Sequence, residues 1–304
     1  MRELSMNPSH EFDRLRGQLR HDEPMARHIS WKVGGPARYF FEPLDEEDVA
    51  DFLRLLPAHT PILWLGLGSN LLVRDGGFNG AVIAAHRGLN TLALLNENTI
   101  MAQAGVSCAR VARFAGKNQM GGAEFFAGIP GTVGGAIAMN AGAFGSETWQ
   151  FVESIRLINR AGEISECEPA AFEVSYRAVS ISEDVWVASA CFSFEPLSAP
   201  QSRHVIRSLL ETRGQSQPVG QPSAGSVFKN PPGDYAARLI ERAGHKGKRI
   251  GGARISEHHA NFIVNDQSGT AKHIEDLIQF FQDDVEKRFD VKLETEVRFV
   301  GESI

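Results

Sequence analysis

The 304-residue chain has little that would tie it to a disulfide framework, a metal cluster or a membrane. Its three cysteines, Cys108, Cys167 and Cys191, are far apart and odd in number, which argues against a disulfide scaffold and a zinc site. No stretch approaches the roughly 18 consecutive apolar residues of a membrane-spanning helix, so membrane insertion is not expected. The opening MRELSMNPSHEFDRLRGQLRHDEP mixes both charges and lacks an apolar core, so no secretory leader is expected. Internal repeats and low-complexity tracts are missing. Apolar content of 42% with 22% charge excludes wholesale disorder. By elimination the chain reads as a cytoplasmic globular protein of two or three domains. It also lacks the usual nucleotide fingerprints. There is no GxxxxGK[ST], and GIPGTVGG lacks both the strand–GxGxxG–helix setting and the ribose-holding acid of a dinucleotide fold. His258 and His259 are adjacent, so on an extended segment they face opposite ways, and no third ligand stands by; no metal is expected. AGSVF is not the GxSxG elbow of a Ser-His-Asp hydrolase.

What the chain has in excess is glycine, with 30 residues. Eight fall between Gly121 and Gly145, in GGAEFFAGIPGTVGGAIAMNAGAFG, and others punctuate Gly34-Gly35 and Gly66-Leu67-Gly68. Such runs mark either tight turns or backbone that must approach a ligand closely. Gly66-Leu67-Gly68-Ser69-Asn70 suits a pyrophosphate, whose oxygens successive backbone N–H groups can hold without a Rossmann unit. Charge is uneven as well. The net charge is −6, yet Gln201 to Ser256 holds ten Lys/Arg and three acids, a surplus of +7 that leaves −13 elsewhere. A basic segment in an acidic protein suits a compact anionic ligand better than nucleic acid, although a solvated helix face accounts for about half of it equally well. Within this segment Ser226, in GSVFKNPP, is either a turn former or a functional hydroxyl beside Lys229 and Asn230.

Periodicity predicts an α+β architecture. Asp45 is placed to cap a helix over Glu46–Leu56, ended by Pro57. Strands are expected at Ile62–Leu65, Ala81–Ala84, Thr99–Ala104, Ser154–Asn159 and Val185–Phe194, with a helix from Cys108 to Gln119 capped by Ser107. Glu195–Pro200 reads as a linker. Beyond it a helix is expected over Gln201–Arg213, another from near Asp234, strands near Ile250–Ile255 and Ala260–Asn265, and a long helix over Ala271–Phe289. The closing VKLETEVRFV alternates cleanly and predicts one strand, with Glu296 on its polar face.

Taken together, eight segments resemble the UDP-N-acetylenolpyruvoylglucosamine reductase family. They are Ser30–Ala37 (SWKVGGPA), Leu65–Asp75 (LGLGSNLLVRD), Glu124–Gly135 (EFFAGIPGTVGG), Met139–Gly142 (MNAG), Tyr176-Arg177, Gln221–Pro231 (QPSAGSVFKNP), Glu257–Asn265 (EHHANFIVN) and Leu293–Val297 (LETEV). They run in the family's order from about residue 28 to the C-terminus. The resemblance implies an α+β protein with a two-lobed FAD-binding domain of the vanillyl-alcohol-oxidase (PCMH) type, followed by a smaller α+β substrate domain. Its parts would be an N-terminal extension or helix (1–25), two flavin subdomains (26–90 and 91–197) and a substrate domain (201–304). FAD would be held non-covalently by Gly66, Gly68, Ser69, Asn70 and Leu71, by Gly128, Ile129, Gly131, Thr132, Gly134 and Gly135, and by Asn140, Ala141 and Gly142.

The implied reaction, in peptidoglycan precursor synthesis and hence in cell-wall biogenesis, cell shape and division, reduces UDP-N-acetylglucosamine enolpyruvate to UDP-N-acetylmuramate. NADPH is the implied hydride donor and leaves before the substrate enters. Arg177 and Glu296 match residues that polarise the enolpyruvyl carboxylate. Glu296 must then be protonated, which demands surroundings that raise its pKa. Ser226 matches the proton donor to the carbanion-like carbon, with Lys229 as the nearest charged neighbour in sequence. Arg213, Lys229 and Asn230 match substrate contacts. Two features depart from the common pattern. Tyr176-Arg177 runs on into Ala-Val-Ser-Ile-Ser, and only 48 residues separate Arg177 from Ser226, as in the shorter subtype that lacks an extra tyrosine-bearing loop. Two other readings stay open: an oxidase on the same flavin fold, although Gly66–Val73 has no His or Cys to tether a flavin, and a non-catalytic sugar-nucleotide binder, although all three catalytic residue types are present.

Overall fold

The computed structural model describes residues 12–304, so most of the first half of the expected N-terminal extension lies outside the described residues. The first lobe is a four-stranded sheet in which Gln18–Pro24, Pro36–Glu42, Phe78–Ala84 and Ile62–Leu65 lie in that order. The first pair is antiparallel and the other two pairs are parallel. The sequence reading puts residues 18–24 in an extension or helix. They form an edge strand whose one buried residue is the acid Glu23, so no apolar alternation marks it. The helix Glu46–Leu55 begins where expected: Asp45 Oδ1 accepts the Asp48 N–H at 3.0 Å. Strand alternation sends Phe41, Ala81 and Ile83 against Val49, Phe52 and Leu53 of that helix, and Phe40, Val82 and Ala84 to the other face.

The second lobe is a five-stranded antiparallel sheet in the order Ile164–Cys167, Val152–Asn159, Val185–Ser193, Thr99–Gln103, Leu92–Leu94. Its core packs Ile100, Ile155, Val187 and Phe192 against Val111 and Ala115 of the helix Cys108–Lys117 and against Phe126 and Val133. Ser107 starts that helix but makes no side-chain cap bond; the first helical amide, of Cys108, donates instead to the Gly131 carbonyl at 3.0 Å. The expected linker is stitched down. Glu195–Pro196 pairs with Met120–Gly121, and the Leu197 N–H reaches the Gln119 carbonyl at 2.7 Å. Gly121 allows this, since a Cβ there would stand 2.6 Å from the Leu197 Cβ. The next helix, Ala199–Ser216, docks on this lobe too, with Ser202 buried against Gly116.

The remaining unit is a three-stranded antiparallel sheet, Arg249–Ile250, Ala253–Ile255 and Ile263–Asn265, with helices Ala236–Arg242 and Ala271–Phe289. The apolar stripe of the long helix, Ile274, Leu277, Ile278, Phe281 and Val285, shares one buried core with Trp31, Phe40, Leu72 and Val82 of the first lobe. Polar clamps reinforce that union. Asp75 accepts the Ala271 and Lys272 N–H groups, each at 3.0 Å, and Arg74 pairs with Glu275 at 2.8 Å. The Trp31 indole N–H donates to the Ile263 carbonyl at 2.7 Å.

The expected single closing strand is not one strand. Only Arg298–Val300 is, and it lies parallel to Leu71–Val73. Before it the chain has other partners: Lys229 N–H donates to the Glu294 carbonyl (2.9 Å) and Glu296 N–H to the Val227 carbonyl (2.8 Å), after which Arg298 N–H donates to the Asn70 carbonyl (3.0 Å). The backbone bends at Glu296–Val297 to change partners, which breaks the ladder while leaving Leu293 and Val297 buried. Among the described residues, no helix is long and apolar enough to cross a membrane.

Candidate active site

Strand Ile62–Leu65 ends in the loop Gly66–Asn70, and the loop Gly128–Thr132 faces it. A Cβ on Gly66 would lie 2.5 Å from Thr132 Oγ1, and one on Gly131 would touch Ser69 Oγ at 3.5 Å. Gly68 has φ +63° and would drive a Cβ to 2.4 Å from the His28 carbonyl, so only glycine fits. Among the described residues, the amide N–H groups of Ser69, Gly131 and Thr132 have no acceptor. Two loops brought together by missing side chains, with unpaired amides between them, fit the diphosphate of a dinucleotide.

Not every expected cofactor residue takes part in the same way. Gly128 lies beneath Phe144, whose ring carbon Cε2 a Cβ there would meet at 2.4 Å, and Gly134 lets Ala104 approach closely; both glycines serve packing. Ile129 is buried, and Leu71 opens the strand that carries the chain away from the loop. Gly135, by contrast, faces open space, with nothing within 4 Å of a Cβ.

The segment Asn140–Gly142 connects these loops to Arg177. Asn140 is buried in the left-handed region (φ +44°), and its Nδ2 donates to Glu147 Oε2 (2.8 Å) and to the Ser175 carbonyl (3.3 Å). Ala141 returns its N–H to the Ala136 carbonyl at 2.9 Å. Ser175 belongs to the hairpin Val174–Ser175/Ala178–Val179, whose turn presents Tyr176 and Arg177. Arg177 sits at φ +56°, a strained conformation for a bulky residue, and its Nη2 donates to the Gly142 carbonyl at 3.1 Å.

Arg177 Nε lies 3.3 Å from Glu296 Oε1, with the side chains only 18% and 10% exposed. The Nε–H is off-line for a hydrogen bond and has no acceptor. Burial pushes the Glu296 carboxyl above its ordinary range, against the opposing pull of Arg177 and Lys229. Asn70 Nδ2 donates to the Glu296 carbonyl at 3.1 Å, tying this acid to the first glycine loop. Ser226 is half-buried, and the N–H of its neighbour Gly225 donates to the Ser69 carbonyl at 2.9 Å, so Ser226 follows directly on a bond to the same loop.

The remaining expected residues are more dispersed. Lys229 turns its ammonium to Glu294 at 3.5 Å, and Asn230 Oδ1 accepts the Ala236 N–H at 3.2 Å, which starts the helix Ala236–Arg242. Arg213 comes from the helix on the second lobe and lines a cleft of about 140 Å³ with Ser69, Pro130 and Ser223. Its Nε donates to Gln217 Oε1 at 3.0 Å, and no carboxylate among the described residues pairs with it. Burial pulls its guanidinium down, yet an arginine stays cationic. Part of the basic surplus is neutralised by acids outside the segment: Arg249 and Arg254 pair with Asp266, and Lys229 with Glu294. A larger cavity of about 640 Å³, between Arg38, His59, Phe78 and Glu302, lies at the opposite ends of the first-lobe strands and contains none of these residues.

Residues 37–168 match the family model of an FAD binding domain, and residues 217–300 match that of the UDP-N-acetylenolpyruvoylglucosamine reductase C-terminal domain. The UDP-N-acetylenolpyruvoylglucosamine reductase of Nitrosomonas eutropha is 50% identical over 299 residues, covering 95% of this chain and 90% of that protein. This chain belongs to the UDP-N-acetylenolpyruvoylglucosamine reductase family. The reductase of Alkalilimnicola ehrlichii is also 50% identical, over 94% of this chain and 96% of that protein. In crystal structures, the reductase of Thermus caldophilus superposes with a TM-score of 0.80 at 28% identity, over 94% of this chain and 99% of that one. The 6-hydroxy-D-nicotine oxidase of Arthrobacter nicotinovorans shares the fold alone, with a TM-score of 0.53 at 11% identity over 94% of this chain and 88% of that one. The chain is therefore an FAD-containing oxidoreductase of the reductase family, with a flavin domain of the vanillyl-alcohol-oxidase (PCMH) type in an α+β architecture. The second family match begins at residue 217, just past the helix that docks on the flavin lobe.

Sequence reasoning passed over Asn261, which is buried beside the Ser226 segment. Its cue was an amide inside the apolar run of HANFIV, because a buried polar side chain requires partners.

Proposed function

We propose that this protein reduces UDP-N-acetylglucosamine enolpyruvate to UDP-N-acetylmuramate with NADPH, in the cytoplasm, as a step of peptidoglycan precursor synthesis that serves cell-wall growth, cell shape and division. The observation that carries this reading is the convergence of Arg177, Glu296 and the Ser226 segment beside the Gly66–Asn70 loop. FAD, bound non-covalently, would supply the hydride that reduces the vinyl group. The amides of Ser69, Gly131 and Thr132 would hold the diphosphate of the cofactor, with Arg213 beside them as an unpaired cation. Arg177, whose Nε–H has no acceptor, offers a fixed cationic donor to the enolpyruvyl carboxylate.

Glu296, whose carboxyl burial pushes toward the protonated form, would in that form donate a hydrogen bond to the same carboxylate. Negative charge that develops on the carboxylate is thereby stabilised by one cation and one neutral acid. Ser226 delivers the proton to the carbon next to the carboxylate. The 26–90 and 91–197 regions act as the flavin lobes, and the substrate unit follows the helix Ala199–Ser216.

The half-reactions separate these roles. In stopped-flow measurements at 450 nm, Ser226→Ala is expected to bleach normally with NADPH but to be reoxidised by the enolpyruvyl sugar nucleotide slower by a factor of about 10³ or more. Equal slowing of both half-reactions would remove Ser226 from the proton-donor role. Reoxidation chiefly by oxygen, with a sugar alcohol as reductant, would make the protein an oxidase.

A further inference from the structure

We infer that Asn261 is the positioning residue of this site, setting Ser226 and Glu296 together through the backbone of Val227–Phe228. This rests on the reading of Ser226 and Glu296 given above. Asn261 is 3% exposed, and both ends of its carboxamide and its own carbonyl engage one dipeptide, Val227–Phe228. Its Oδ1 accepts the Phe228 N–H at 2.9 Å, its Nδ2 donates to the Phe228 carbonyl at 2.8 Å, and its own carbonyl accepts the Val227 N–H at 2.9 Å. A carboxamide that gives one bond and takes one from the same residue does what a neighbouring strand would do, in a place where no strand runs.

The opposite edge of that dipeptide carries Glu296. The Val227 carbonyl accepts the Glu296 N–H at 2.8 Å, and Phe228 bridges to Thr295. Ser226 is the residue immediately before the clamped pair, and Gly225 before it is tied to the Ser69 carbonyl. Ser226 is thus suspended between two fixed points, the first glycine loop and the Asn261 clamp. One buried amide therefore determines where the hydroxyl and the carboxyl stand relative to each other.

The clamp is itself braced. Asn261 N–H donates to His259 Nδ1 at 3.2 Å, and burial pulls the His259 imidazole below its ordinary range, which keeps that nitrogen free to accept. Ser256 Oγ accepts the N–H groups of His258 (3.2 Å) and His259 (3.4 Å) and fixes the turn. No other amino acid reproduces the arrangement. Leucine of similar size leaves both Phe228 groups buried without partners, and aspartate keeps the acceptor while setting a carboxylate oxygen against the Phe228 carbonyl.

The test compares half-reactions of the FAD-loaded enzyme in Asn261→Leu and Asn261→Asp, each also combined with Ser226→Ala. Flavin reduction by NADPH is expected within about threefold of the parent for both variants, whereas reoxidation by the enolpyruvyl sugar nucleotide falls about 100-fold in N261L and about 10-fold in N261D. In the Ser226→Ala background, N261L is expected to add clearly less than its effect alone, about 10-fold, because the hydroxyl it positions is already gone and only the placement of Glu296 remains to be lost. Equal slowing of both half-reactions, or full additivity with Ser226→Ala, overturns the inference. If N261L fails to bind FAD, N261D carries the same two comparisons. Should Ser226→Ala itself show no preference between half-reactions, the proposed reading of Ser226 fails first; a selective Ser226→Ala with unselective Asn261 variants sinks only the positioning role.

Discussion

The loops around Gly66 and Gly131 meet because glycines stand at their contacts, whereas the neighbouring wall from Ser226 to Glu296 depends on polar and charged side chains, Asn261 holding the Phe228 backbone and Arg177 facing Glu296. The first kind of site admits no added carbon at Gly66 or Gly68 and needs no particular pKa. The second kind depends on charge, protonation and angle, and can be altered without moving the backbone. Cofactor retention and substrate chemistry should therefore fail separately, and a variant that loses both at once would erase the division.

The largest effect is expected at Arg177. Arg177→Gln keeps a planar donor but removes the cation, and we expect reduction of the enolpyruvyl sugar nucleotide to drop about 10³-fold while FAD stays bound and NADPH still bleaches it. Loss of FAD from the variant would erase the distinction. Glycine substitutions approach from the other side. Gly66→Ala brings a methyl to 2.5 Å from Thr132 Oγ1, and flavin titration of the apoprotein should show affinity about 100-fold lower together with a lower melting temperature. Gly135→Ala meets nothing within 4 Å and lies in the helix Val133–Ala138. Its apoprotein should melt no lower than the parent, since alanine favours helix by about 1 kcal/mol. Its affinity for FAD should nonetheless fall about tenfold if the open space is the cofactor's.

The smallest effect concerns the proton on Glu296. With a folded pKa above its unfolded value, the folded state holds this proton more tightly, so stability declines as pH rises from the ordinary glutamate range through the raised value and is level beyond it. Substrate reduction should decline as pH passes the raised value, where the folded enzyme loses the donor. Glu296→Gln keeps a donor without a titration, so both slopes should vanish, at a rate reduced by about tenfold. A pH profile unchanged by this substitution would deny Glu296 its part in the chemistry.

The same contrast explains what was legible in the sequence. Glycine is conspicuous when side chains must be absent, so the flavin cradle stood out in composition before any fold was known. Local signals held as well: Asp45 caps its helix, and Ala271–Phe289 forms a single helix from end to end. Tertiary relations did not show. Alternation in VKLETEVRFV reports burial, and Leu293 and Val297 are indeed buried, but no local pattern reveals that the chain abandons Val227–Lys229 for Asn70–Val73 at Glu296. That change of partner takes Glu296 off a solvated rim and encloses it beside Arg177. The basic surplus is smaller in space than along the chain for a related reason, because Asp266 and Glu294, which neutralise part of it, lie beyond the segment in which it was counted. Ser107 shows a further limit: a good capping residue is unused where the Gly131 carbonyl takes the first amide.

The pairing of Arg298–Val300 with Leu71–Val73, and the core that the last helix shares with Trp31 and Phe40, have a consequence in time. A chain emerging from the ribosome presents its first lobe early, yet one apolar face of that sheet is covered only by residues from Ala224 onward and is completed by the last helix and the closing segment. The second lobe, whose core comes from a continuous stretch of chain, can settle on its own. Synthesis therefore leaves the first-made lobe to be finished last. A truncation near the C-terminus would damage the start of the molecule more than its middle.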